Sequence, residues 1–147
     1  MRTARALGHT TIAVYADPDA SAPFVAEADL AFRLGPADLS SSYLSVERLL
    51  AAIETTGADA VHPGYGFLSE NAAFARAVIE SGRIWIGPRP EAIDMMGSKI
   101  EARRLAVAAG VPVIPGYDAT QDPGDLAEAA DRIGYPVLVK AAAGGGG

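Results

Sequence analysis

Ala58-Asp59-Ala60-Val61-His62-Pro63-Gly64-Tyr65-Gly66-Phe67-Leu68-Ser69-Glu70-Asn71 is the stretch that decides the fold. Ala58 to Val61 reads as the end of a strand, and Ala72 to Glu80 reads as a helix. The ten residues between them therefore join a strand to a helix. Pro63 fixes one φ angle, while Gly64 and Gly66 free two others. A loop that is stiff at one point and free at two can press its backbone against a ligand. In an α/β sheet such a loop lies at the carboxyl end of a strand, where ligands bind.

Toward the N-terminus the pattern repeats. Thr10 to Ala16 is rich in β-branched residues and predicts a buried strand. Asp17 to Pro23 is a turn-rich loop, and Phe24 to Ala28 is one helical turn. Leu30 to Leu34 predicts a second strand, closed by Gly35-Pro36, and a polar stretch from Asp38 to Tyr43 follows. Ser45 is placed to cap a helix over Val46 to Thr55, whose Val46, Leu49, Leu50 and Ile53 form one apolar face. Beyond the opening loop, Ala75, Val78 and Ile79 line the next helix, and Ser69 is a candidate for its cap. Ile84 to Ile86 predicts a fourth strand. Strand–helix alternation of this kind implies a parallel sheet with helices on both faces.

The pattern changes near Gly97. Pro90 to Met96 is a short helix, and Ser98 with Glu101 forms a capping box for a helix running to about Ala109. The prolines of Val111 to Gly116 impose extended chain. Asp122 caps a further helix with Pro123 at its first position, and Leu126, Ala129, Ala130 and Ile133 form its apolar face. Val137 to Lys140 predicts a last strand, followed by three alanines and Gly144-Gly145-Gly146-Gly147. We place one domain at 1–97 and a second at 98–147.

Composition limits the function classes. The 147 residues are half apolar and carry a net charge of −6, a globular composition that excludes non-specific nucleic-acid binding. There is no cysteine, hence no disulfide framework and no thiolate metal site. The N-terminus has no apolar signal core, and no run approaches membrane-spanning length. The expectation is a cytoplasmic protein. Met1 to Gly8 reads as the last turns of a helix that should follow a strand, and the glycine run directly follows a strand. Both ends lead us to expect a fragment.

Few residues could carry chemistry. Lys140 ends an apolar strand, so it either reaches solvent or meets an anion. The glycine run after it fits either a linker or a lid whose backbone N–H groups close over phosphates. It has neither the Walker A order nor G-x-G-x-x-G. Lys99 opposes the dipole at a helix start by about 0.3–1 kcal/mol, so it is either an exposed residue or one kept for an anion. Arg103 and Arg104 read as solvated helix residues. His62 reads as a structural histidine at a strand end, and no metal-ligand spacing is present. Tyr65 is either an aromatic plug over the sheet or a stacking surface. No catalytic residue follows from the pattern.

His62 to Asn71, Ile86-Gly87-Pro88, Met96-Gly97-Ser98-Lys99, Gly110 to Gly116, and Gly134 to Ala141 with its glycine run together resemble the biotin carboxylase family. The resemblance runs in order along essentially the whole chain. It implies a Rossmann-like, pre-ATP-grasp α/β lobe with a parallel sheet, followed by the start of an ATP-grasp domain. In that family ATP and bicarbonate give carboxyphosphate, which carboxylates biotin on a carrier domain. Lys99 and Lys140 match the family's ATP-binding lysines, and Gly144, Gly145, Gly146 and Gly147 match the start of its phosphate-covering loop. Tyr65 and Gly66 match a loop near the biotin and bicarbonate pocket. The resemblance further implies magnesium, a biotin carboxyl carrier domain, a carboxyltransferase subunit and a homodimeric parent. The family's first strand and its magnesium ligands have no counterpart here, so an inactive fragment is expected. Two other readings compete: a piece of another ATP-grasp ligase such as a carbamoyl-phosphate synthase, and a non-catalytic lobe that pairs with other subunits.

Overall fold

The computed structural model describes residues 1–140. The chain divides into two compact units between Ile93 and Asp94. The first unit opens with α1 (Arg2–Ala6) and β1 (Ile12–Ala16), then α2 (Pro23–Glu27) and β2 (Leu30–Gly35). It continues through α3 (Val46–Thr56), β3 (Ala60–Val61), α4 (Ala72–Glu80) and β4 (Ile84–Trp85). The division falls within α5 (Pro90–Gly97); α6 (Lys99–Ala108) and α7 (Pro123–Ile133) follow it.

Both strand pairings are parallel, as the alternation requires. β1 pairs with β2 from Ile12 opposite Leu30, and β3 pairs with β4 through Ala60–Ile84 and Val61–Trp85. A parallel pair needs a crossover segment, which here contains α2 in one case and α4 in the other. The expected single sheet is resolved into two two-stranded sheets. No described strand hydrogen-bonds to both, so α3 links them by packing against β1, β2 and α4. The β1–β2 register slips between Tyr15 and Ala16, so that Ala16 faces Gly35. Gly35 fits this bulge because a Cβ there would lie 2.9 Å from the carbonyl oxygen of Ser41.

The core is made by helix faces that the sequence announces. Ile53 of α3 meets Phe74 and Val78 of α4 in one buried cluster, with Leu49, Leu50, Val61 and Trp85 packed around it. Phe74 and Trp85 meet edge to face at 5.6 Å, a favourable arrangement of ring quadrupoles. A second cluster joins Ala72, Ala75 and Ile93. Ile79 was expected on the buried face but is 47% exposed. Phe74 takes the inward position because the stripe runs through residues 74, 75 and 78.

A polar clamp joins the beginnings of β1 and β2. The backbone N–H and the hydroxyl of buried Thr11 both donate to the Asp29 carboxylate at 2.8 Å. Arg5 approaches the same carboxylate at 3.4 Å. These donors, first the Thr11 N–H, then its hydroxyl, hold the Asp29 carboxyl below the usual carboxylate range.

The expected strand Val137–Lys140 does not form: none of these residues joins a ladder, and Leu138 and Val139 are about four-fifths exposed (78% and 81%). A strand exists only against a partner, and no described residue pairs with it. The glycines expected to follow it, 144–147, lie outside the described residues.

Replacing Phe74 with alanine empties the centre of the main cluster. We expect a loss of roughly 3–5 kcal/mol in urea unfolding, followed through the fluorescence of Trp85, the only tryptophan. The Asp29 clamp has a pH signature. A carboxyl whose folded pKa is depressed stabilises above its ordinary pKa and loses that contribution as pH falls through it toward the folded value. Asp29→Asn should therefore lower Tm relative to the parent at ~pH 7, with the gap narrowing toward ~pH 3.

Candidate functional site

Two places in the chain combine exposed functional groups with a fixed backbone, one in each unit. The first is the loop after β3. His62 accepts a hydrogen bond at Nδ1 from the Gly64 N–H at 3.0 Å, which closes the first turn of the loop. This matches a structural role for His62. Gly66 has φ +80° and ψ −166°, a region that essentially only glycine occupies. Phe67 follows at φ +47°, the single non-glycine with positive φ among the described residues.

Burial of Leu68 anchors the loop from below. Its side chain is 8% exposed and joins the Ile53–Phe74–Val78 cluster. The far end is closed by Asn71, whose Oδ1 accepts from the Phe74 N–H at 2.8 Å and caps α4. Asn71 thus replaces Ser69 as the cap. Ser69 instead lies inside a short 3-10 turn, Phe67–Glu70, two residues before the cap position. Between the His62 turn and Leu68, Tyr65 is fully exposed, which rules out the aromatic plug. Gly66 stands beside it with nothing within 4 Å of the place a Cβ would occupy.

The second place is in the other unit. Ser98 caps α6, accepting from the Glu101 N–H at 3.3 Å. This sets Lys99 at the first helical position. The Glu101 side chain pairs with Arg104 at 2.8 Å. Arg103 is structural rather than merely solvated: its guanidinium donates to the carbonyls of Ile114 at 2.5 Å and Gly116 at 3.3 Å. It thereby holds the extended Val111–Gly116 segment against α6. Asp122 caps α7 through the N–H groups of Gly124 and Asp125, as its sequence position predicts.

These local structures bring Lys99 and Lys140 to one cleft. Its volume is about 170 Å³, and Ile100, Arg103, Tyr117, Asp118 and Gln121 complete its lining. Two lysines and one arginine face a single carboxylate there, a local cation excess on a chain of net charge −6. Among the described residues, no group of three or more His, Asp or Glu side chains converges as a metal site. No helix among them is long and apolar enough to cross a membrane.

The family model for "Biotin carboxylase, N-terminal domain" matches residues 1–93. The chain belongs to the biotin carboxylase family. The model for "Carbamoyl-phosphate synthase L chain, ATP binding domain" matches residues 98–147. A biotin carboxylase of Halalkalibacterium halodurans is 49% identical over all of this chain and 33% of its own length. The propionyl-CoA carboxylase alpha chain of Ruegeria pomeroyi is 46% identical, again over the whole chain but 22% of its own. Among solved structures, a biotin carboxylase–beta-gamma-ATP complex from Campylobacter jejuni superposes with a TM-score of 0.88 at 43% identity, covering 99% of this chain and 33% of that one. The biotin carboxylase domain dimer of a Hydrogenobacter thermophilus 2-oxoglutarate carboxylase, with MgADP and bicarbonate, gives 0.86 at 42% identity, covering 99% and 32%. The chain thus spans about a third or less of the curated relatives it matches. These relatives are biotin-dependent carboxylases, which disfavours the carbamoyl-phosphate synthase reading despite the name of the second family model.

Leu68, Asn71 and Arg103 were not singled out for these roles in the sequence. Asn71 carried a readable signal, a capping residue directly before an apolar helix. The other two depend on contacts distant in sequence. Gly66→Ala tests the loop backbone. No atom blocks the added methyl, so any loss of stability comes from φ and ψ alone. We expect a cost of about 1–3 kcal/mol in denaturant unfolding.

Proposed function

We propose that this chain forms the N-terminal part of an ATP-dependent biotin carboxylase. The observation that carries the reading is the convergence of Lys99 and Lys140 on one cation-rich cleft, in the part of the chain matched by an ATP-binding family model. In this reading residues 1–97 are the pre-ATP-grasp domain and 98–147 begin the ATP-grasp domain. ATP phosphorylates bicarbonate, and the carboxyphosphate formed carboxylates biotin on a carrier domain. Lys99 and Lys140 neutralise phosphate charge with ammonium N–H donors, which form charge-assisted hydrogen bonds to anionic oxygens. Gly144, Gly145, Gly146 and Gly147 begin the cover over the phosphates. Tyr65 and Gly66 form one wall of the biotin and bicarbonate pocket: Tyr65 offers a free aromatic face, and Gly66 lets a ligand approach the backbone closely.

Magnesium would take its ligands from outside the described residues, among which no three or more His, Asp or Glu side chains converge. The partners in this reading are a biotin carboxyl carrier domain, a carboxyltransferase subunit and a second copy of the carboxylase, in the cytoplasm. The dimeric state of the Hydrogenobacter domain supports the last partner.

The test uses a carboxylase-length polypeptide that contains this sequence. ADP release should require bicarbonate and rise on addition of biotin. Lys99→Met and Lys140→Met should each raise KM for ATP by about 10-fold or more, the worth of one charged hydrogen bond. The 147-residue chain alone should release no ADP above background. ATP turnover indifferent to biotin, or unchanged KM values in both lysine variants, would overturn the reading.

A further inference from the structure

We infer that Tyr43 is a positioning residue for the 62–71 loop: its ring, stacked on Phe67, holds the loop in the conformation that presents Tyr65. This rests on the reading of Tyr65 and Gly66 as a pocket wall.

Tyr43 is itself held by parts of the fold outside that loop. Its hydroxyl donates to the Asp19 carboxylate at 2.6 Å and accepts from the Ala16 N–H at 3.1 Å. Ala16 ends β1, and Asp19 lies in the 3-10 turn Asp17–Asp19 directly after it. The ring is therefore hinged on the terminus of a paired strand. Burial, and then the Asp19 carboxylate, push the phenol pKa up, so the hydroxyl stays a neutral donor.

From this hinge the ring lies on Phe67, with centroids 5.0 Å apart and planes 11° from parallel. This is within the range of a favourable stacked pair. Phe67 needs such a partner. Its φ of +47° is unfavourable for a side chain with a Cβ, and strained residues persist only where their surroundings over-determine them. Phe67 is 56% exposed, so core burial does not hold it. Leu68, one residue on, pins the backbone, but it does not fix the peptide planes before Phe67. If Phe67 returned to a negative φ, the Gly66–Phe67 segment would turn and swing Tyr65 with it. A loop ordered in advance loses less freedom when substrate binds. The effect should therefore fall on the substrate that Tyr65 meets and not on ATP.

Two arms test this. In the 147-residue chain, chymotrypsin cleavage after Tyr65 reports opening of the loop, with cleavage after buried Phe74 and Tm as controls for global unfolding. Tyr43→Ala should raise cleavage after Tyr65 by about 2- to 10-fold, the range a ring pair is worth. Phe67→Ala removes the same stack from the exposed side, where loss of fold is not at issue, and should do likewise. The double variant should be cut no faster than the quicker single one. Unchanged cleavage in Phe67→Ala, or additive increases in the double variant, overturns the positioning role. In the carboxylase-length enzyme, Tyr43→Ala should raise KM for free biotin while KM for ATP and kcat stay within about twofold, a split that general destabilisation would not produce. Raised cleavage with an unchanged biotin KM upholds the positioning role and overturns the assignment of Tyr65 to the biotin pocket.

Discussion

The first unit depends on the burial of one side chain from a loop. Leu68 comes from neither a strand nor a helix face, yet it sits with Ile53, Phe74 and Val78 in the main cluster. Leucine burial is worth several times the thermal energy, roughly 1.5–3 kcal/mol, enough to hold the loop to the core at that point. The consequences run in both directions. On the N-terminal side the chain reaches Leu68 through three positive φ angles, at Gly64, Gly66 and Phe67. On the C-terminal side Asn71 is delivered to the start of α4 with its side chain ready to accept from Phe74. A loop that is exposed at Tyr65 is thereby tied into the core three residues later.

The second unit solves a different problem, that of gathering positive charge on an acidic chain. Lys99 and Lys140 share a cleft because α6 begins at a fixed point and the chain returns to it after α7. Capping by Ser98 sets the first condition. Arg103 contributes to the second by binding the carbonyls of Ile114 and Gly116, which holds the connecting segment on α6. Tyr117, next in the chain, lies 6.0 Å below the Arg132 guanidinium of α7, a contact that ties the same segment to the last helix. Asp118 in the cleft offsets part of the charge, so the site is biased toward anions without being a bare cation cluster.

Much of this was legible in the sequence because the signals are local. Ser45, Ser98 and Asp122 cap the helices they precede, and the α3 face of Leu49, Leu50 and Ile53 points to the core. Alternation of strand and helix correctly implied parallel pairing. What was not legible depends on partners far along the chain. Val137 to Lys140 has the composition of a strand, but composition does not supply a neighbour to pair with. Arg103 looks like any exposed helix arginine until Ile114 and Gly116 are folded against it. Ile79 and Phe74 both suit an apolar stripe, and the contacts of Phe74 with Ile53, Leu68, Val78 and Trp85 set it inward. The Tyr43–Phe67 stack spans two loops with no shared periodicity. The loop at 62–71 announced its flexibility through its glycines, but not the direction in which Tyr65 points.

The two-stranded sheets carry a consequence for handling this polypeptide. Each of the four described strands pairs on one side only, so each leaves a row of N–H and C=O groups on its other edge. Such edges act as templates for strands of other molecules, and native proteins usually cover them or interrupt them with charge. β1 is made wholly of uncharged residues, and Arg33 is the one charged residue in β2. Arg33 is held by Asp17 at 2.6 Å, which neutralises much of its repulsion toward an incoming strand. These strand edges are thus the places where the backbone of another polypeptide could pair with this one.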